Sequence, residues 1–179
     1  TDRMVANCHK LPQQHFSKRL LSVEEIGESL TRIAQLLKQI NPSIHLVITI
    51  SPVRHIKDGF LENQVSKSQL FSALYPLITS GHYAYFPAYE LLLDELRDYR
   101  FYANDMVHPS EMAINYIWER LVATYIDTAT QMDMKQAESI QKALLHRPFN
   151  PDTEKHQQFL IQLQQKMEVF TMKYPHIKF

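Results

Sequence analysis

One cysteine, Cys8, stands in the 179 residues, which removes internal disulfides and thiolate zinc clusters and leaves packing to hold the fold. Three glycines, Gly27, Gly59 and Gly81, are too few and too scattered for a phosphate cradle of the dinucleotide or Walker type. Charge of one sign is also missing. Lys plus Arg number 19 and Asp plus Glu number 19, so no net field draws the chain to nucleic acid or to an anionic membrane surface. The longest apolar runs, such as Leu46 to Ile50, fall far short of the roughly 20 residues of a membrane-spanning helix. What is present is an apolar share of 45%, enough for one sizeable core and a small appendage. The chain begins Thr1-Asp2-Arg3 and turns apolar at once, as an internal piece of a longer protein would. The absence of a signal peptide at Thr1 therefore leaves the compartment open, with the cytoplasm as the default.

The clearest local signal is Ser22 followed by Glu25, a capping box. From it Val23, Ile26, Leu30, Ile33, Leu37 and Ile40 recur at helical steps until Asn41-Pro42, which predicts one amphipathic helix. The run Ile44 to Ile50, bounded by Asn-Pro and Ser-Pro, has the two-faced apolar character of a central parallel strand. Asn63 to Ile78 reads as a second helix, Tyr83 to Phe86 as a second strand and Glu90 to Leu96 as a short helical segment. Met4 to Ala6 reads as the end of a strand entering a loop. Pro109 at the first helical position opens another helix through Met112, Ile117 and Tyr125. Strands alternating with helices predict a doubly wound α/β domain over residues 1–130. Beyond it, residues 131–179 predict a helical extension packed on that domain, with helices from Met132 to Leu145 and from Pro151 to Lys173.

Ligand sites in open parallel sheets lie at the carboxyl ends of the strands, and three candidates fall there. Asp105-Met106-Val107-His108-Pro109 places a carboxylate and an imidazole on one turn, so that Asp105 can orient the ring and leave its far nitrogen to take a proton from a hydroxyl. Alternatively, Asp105 caps the helix and His108 is an ordinary surface residue. Ser51-Pro52-Val53-Arg54-His55 offers a guanidinium fork for a carboxylate or other oxyanion. Arg54 equally suits a pairing with an acid between Asp94 and Asp98. Ser51 at a Ser-Pro step lacks the strained strand-to-helix turn of an exposed nucleophile. Asn7 can donate its amide to an oxyanion, whereas Cys8 and His9, adjacent on a strand, point apart. No histidine pair has zinc-protease spacing, and neither a metal nor another cofactor is expected.

Taken in order, Val5 to Lys10, Leu20 to Ile26, Ser51 to His55 with Lys57-Asp58-Gly59, Glu62-Asn63, Ser66-Lys67, Phe86 to Glu90, Asp94 to Tyr102 and Asp105 to Ser110 resemble the GSCFA family. That family is itself similar to the SGNH hydrolases. The resemblance implies a three-layer flavodoxin-like parallel sheet, here incomplete at the N-terminus, with extra C-terminal helices. It also implies an esterase or acyl hydrolase, a class that includes carbohydrate deacetylases, acting on a small-molecule or carbohydrate ester. His108 matches the catalytic histidine and Asp105 its acidic partner. Asn7 falls at the oxyanion-hole asparagine, with Val5 where that pattern has glycine. Ser51, Arg54, His55 and Asn63 would line the substrate pocket. The Gly-Ser-Cys-Phe-Ala signature and its serine occur nowhere in this chain, so the nucleophile is expected upstream and the chain alone is expected to be inactive. The alternative is a non-catalytic ligand-binding domain of the same fold. A missing first strand would leave an open sheet edge, and with it a route to a homodimer.

Overall fold

Helix α1, Val23–Ile40, begins where its cap chemistry dictates. Ser22 Oγ accepts from the Glu25 amide while the Glu25 carboxylate accepts from the Ser22 amide, satisfying two of the donors that every helix start leaves open. The computed structural model describes residues 11–179, so the expected strand end at Met4 to Ala6 and the candidate Asn7 lie outside the described residues. Strand β1 (Val47–Ile48), helix α2 (Phe60–Thr79) and strand β2 (Ala84–Tyr85) follow. The strands pair in parallel, Val47 with Ala84 and Ile48 with Tyr85, through Ala84 N to Leu46 O at 2.8 Å and Phe86 N to Ile48 O at 2.9 Å.

The chain divides into two compact units, Thr1–Ile117 and Trp118–Phe179. In the first, Ala34, Ile50, Leu74 and Tyr83 are buried together, with Leu30, Leu70, Leu77 and Phe71 packed against them. Tyr83 ties its buried ring to α1 by donating its hydroxyl hydrogen to Leu30 O at 2.7 Å. A second cluster joins Leu92, Leu96 and Ala113 to Phe101, Tyr102 and Tyr116. It forms where the short helix α3, Ala88–Glu90, widens into a π turn over Leu91–Glu95. Helix α4, Glu111–Tyr125, comes next. In the second unit α5 (Thr128–Leu144) and α6 (Glu154–Lys173) bury Ile140, Leu163 and Phe170 between them. Asp133 accepts from Lys173 Nζ at 2.7 and 2.8 Å and from the Tyr174 hydroxyl, tying the two helices at one end.

The expected three-layer flavodoxin-like sheet is not what forms. Among the described residues there are two short parallel strands, and most of the ordered backbone is helical. The run Ile44 to Ile50 was expected to be covered on both faces, yet Val47 is 45% exposed while Ile50 is 4% exposed. A strand with one wet face and two ladder residues cannot be the centre of a doubly covered sheet. The start of α4 also differs. Pro109 is engaged in an isolated bridge with Tyr102, and Ser110 serves as the cap instead, its hydroxyl accepting from the Ala113 amide at 3.4 Å. No helix among the described residues is long and apolar enough to cross a membrane.

Candidate active site

Two loops of the first unit carry the candidate residues. The loop after β1 turns at Ser51, whose hydroxyl accepts from the Val53 amide at 3.2 Å, and ends in a single 3-10 turn over Ile56–Asp58. Gly59 then takes φ 100° to enter α2. The Glu62 carboxylate occupies the space where a Cβ at Gly59 would sit, so a side chain there meets backbone strain and displaces the end of Glu62. Two α2 side chains hold this loop from behind. Asn63 Oδ1 accepts from the His55 amide at 3.0 Å, and Lys67 Nζ donates to Ser51 O at 2.6 Å. Both residues are buried, at 8% and 6% exposure, and burial lowers the Lys67 pKa.

The second loop, 102–110, is closed at its base by Ala103 N to His108 O at 2.8 Å and by Ser110 N to Phe101 O at 2.8 Å. Its tip is a tight turn, with Met106 N donating to Ala103 O at 2.9 Å and Met106 at φ 60°, a left-handed conformation unusual for a residue with a Cβ. Within it Asp105 is fixed three times. Oδ1 accepts from the amides of Val107 (2.9 Å) and His108 (3.0 Å), and Oδ2 lies 2.6 Å from His108 Nδ1. The His108 amide, the His108 ring and the Val107 amide together hold the Asp105 carboxyl down to about 2, so it is ionised at neutral pH. An ionised carboxylate can only accept, which assigns a proton to His108 Nδ1 and makes Nε2 the acceptor of the neutral ring. Among the described residues Nε2 makes no hydrogen bond. The carboxylate therefore orients the ring and does not cap α4.

The two loops face each other across a cleft of about 1000 Å³ whose lining includes Arg54, His55, Asp105 and His108. Lys18, Arg19 and Asp58 also line it. Lys18 pairs with Asp58. Arg19 grips Glu25 through two bonds of 2.8 and 2.6 Å, and these, with the Ser22 amide, hold the Glu25 carboxyl down to about 2. A second cavity of about 440 Å³, bounded by Pro52, Leu93, Tyr99, Tyr102 and Met106, shares Arg54 and Val107 with the first.

Of the residues singled out in the sequence, the fold brings Arg54, His55, Asp105 and His108 to one cleft. Ser51 does not line it, and Asn63 sits behind the loop, beside a small cavity of about 170 Å³ that also touches Arg54. The alternative pairing of Arg54 with an acid near Asp94 does not occur, because Asp94 faces Arg97 at 3.6 Å and Asp98 holds Arg100 at 2.9 Å. Lys67 was overlooked in the sequence, although Asn63, Lys67, Leu70 and Leu74 form one helical stripe that would have placed it inward. No serine, threonine or cysteine among the described residues lines the large cleft. Nor is any group of three or more His, Cys, Asp or Glu placed to hold a metal ion there.

Residues 1–121 match the family model described as the GSCFA family. Residues 137–179 match the model described as GSCFA domain protein, C-terminal domain. No curated protein and no solved structure matches the chain.

Proposed function

The chain belongs to the GSCFA family, and on that premise we propose that it supplies the acid–base half of an acyl-ester hydrolase. His108 is the general base and Asp105 is its orienting carboxylate. The observation that carries this reading is the 2.6 Å contact between Asp105 Oδ2 and His108 Nδ1 on a turn whose backbone fixes the same carboxylate twice more. Such a pair at the wall of a cleft is what proton transfer from a nucleophile requires.

The nucleophile is a serine hydroxyl from a segment preceding residue 1. Its oxygen attacks the ester carbonyl as His108 Nε2 takes its proton. The imidazolium, stabilised by Asp105, then gives that proton to the departing alcohol. Water attacks the acyl-serine in the second half, giving a proton to Nε2 that returns to the serine as the acid leaves. Asn7 and backbone amides hold the oxyanion, while Arg54 and His55 face the substrate and Asn63 holds their loop.

Hydrolysis of 4-nitrophenyl acetate by the protein expressed with its native upstream sequence tests this. His108→Ala is expected to lower the rate by roughly 10²–10⁴-fold, and an unchanged rate overturns the assignment. A binding-only role is the second reading, favoured by the lack of any hydroxyl or thiol on the cleft wall among the described residues. Turnover no faster than buffer would select it.

A further inference from the structure

Asn63 and Lys67 are the two buried polar side chains among the described residues. They stand one turn apart on α2, and both hold the loop 51–55. Taking an ammonium group out of water is costly unless it is compensated, and here the Lys67 head group has a single backbone carbonyl and no carboxylate. Anchors on both sides of Arg54 restrict where its backbone can go. An arginine on a fixed backbone loses less freedom on meeting a ligand than one on a loose loop.

The Arg54 guanidinium itself has no hydrogen bond or ion pair among the described residues. The neighbouring charges are committed elsewhere: Lys18 to Asp58, Arg19 to Glu25, His108 to Asp105, Asp98 to Arg100. Lys57 and Glu62 also line the large cleft, without a hydrogen bond or ion pair among the described residues, but each borders that cavity alone, and neither lies between the two anchors. Arg54 borders the large cleft, the 440 Å³ cavity and the small cavity beside Asn63. It is the one residue common to the dyad's cleft and both neighbouring cavities. A planar fork of donors in that position matches a carboxylate in two-point contact.

We propose that the substrate is an anionic ester and that Arg54 selects it, binding a carboxylate carried on the ester while His108 serves the carbonyl. This rests on the hydrolase reading above for the reaction and on Arg54 alone for the selectivity. The 440 Å³ cavity, lined by Leu93, Tyr99 and Tyr102 together with Arg97 and Asp98, each paired within its own segment, takes the body of the molecule beyond the charge.

The test compares phenyl acetate with two charged esters, 3-carboxyphenyl acetate and phenyl hydrogen adipate, which carry the carboxylate on the alcohol and acyl sides. One charged ester is expected to exceed phenyl acetate in kcat/KM. Arg54→Ala should lower that ratio by roughly 10- to 100-fold and Arg54→Lys by less, since a charge-assisted two-point contact is lost or halved. The preference should shrink as salt rises from about 0.01 to 0.5 M, because Arg54 is exposed. A ratio near one in the wild type, or a ratio that survives Arg54→Ala, overturns the proposal. A folding defect lowers both esters alike and leaves the ratio in place. Calorimetric binding of 3-acetamidobenzoate separates the two readings. Binding lost in Arg54→Ala but kept in His108→Ala supports the carboxylate site even if no ester is turned over. His108-dependent hydrolysis with no Arg54-dependent binding sinks the site and spares the hydrolase.

Discussion

Asp105→Asn isolates what the carboxylate does for His108. The variant keeps the turn, because the asparagine oxygen can still accept from the Val107 and His108 amides, now at 2.9 and 3.0 Å. What changes is the atom 2.6 Å from His108 Nδ1. A carboxylate oxygen there accepts and fixes the proton on Nδ1. An amide nitrogen there donates, so Nδ1 becomes the acceptor and the proton moves to Nε2. A ring protonated on Nε2 cannot take a proton from a hydroxyl in the cleft. Loss of the correct tautomer in a serine–histidine–aspartate arrangement costs about 10⁴ in kcat. The exposed position of this dyad, with Asp105 half open to solvent, lets the ring reorient, so a fall of roughly 10³ to 10⁴ is expected. Two assays read it. Ester hydrolysis gives the rate, and ¹⁵N chemical shifts of the His108 ring give the tautomer without needing any turnover. The wild type should show a protonated Nδ1 and Asp105→Asn a protonated Nε2. A rate within tenfold of wild type, or a wild-type ring protonated on Nε2, would refute the reasoning. Acid reads the same contact. The Asp105 carboxyl is lowered in the folded chain, so its contribution to holding the turn is complete above its ordinary value near 4 and is lost as pH falls toward about 2.

Lys67→Met tests the buried ammonium group behind the Arg54 loop. Burial lowers the folded pKa of Lys67, so the unfolded chain binds more protons between that lowered value and about 10.4. Unfolding free energy contributed by this group therefore rises with pH across the window, by at most about 1.4 kcal/mol per pH unit. Tyr83 and Tyr85, whose pKa values burial raises, oppose it above pH 10, but they cancel in the difference between wild type and variant. Urea titrations from pH 7 to 10 should show wild-type stability rising relative to the variant, and a flat difference counts against a buried charge. Met106→Gly addresses the left-handed turn beside the dyad. Relief of about 1–2 kcal/mol of Cβ strain against about 0.5–1 kcal/mol of added unfolded-state entropy predicts a gain of up to about 1.5 kcal/mol. A measured loss greater than 1 kcal/mol would show that the Met106 side chain, at the edge of the 440 Å³ cavity, contributes contacts that outweigh the strain.

Local grammar was legible where a few adjacent residues suffice. Ser22 and Glu25 set the start of α1 and Asn41 its end, because cap donors find their partners within one turn. The spacing of Asp105 and His108 told of a contact for the same reason, since two residues between them span one turn. Less was legible where distant groups compete. The apolar run from Ile44 to Ile50 reads as a full strand, yet among the described residues only Val47 and Ile48 find a ladder partner, at Ala84 and Tyr85. Pro109 reads as a helix start, yet its bridge to Tyr102 moves that start to Ser110 and Glu111.

From its residues alone this chain determined its cap positions, its amphipathic helices and its membership of the GSCFA family. These depend on short-range stereochemistry, periodicity and ordered motifs, all written in consecutive letters. Tertiary structure alone decided that, of the residues expected in one pocket, Arg54 and His55 line a cleft with Asp105 and His108 while Ser51 and Asn63 do not. It also decided that Lys67, by type a surface residue, is buried to hold Ser51. Both outcomes turn on which long-range neighbours desolvate or pair a group, and no local pattern encodes them.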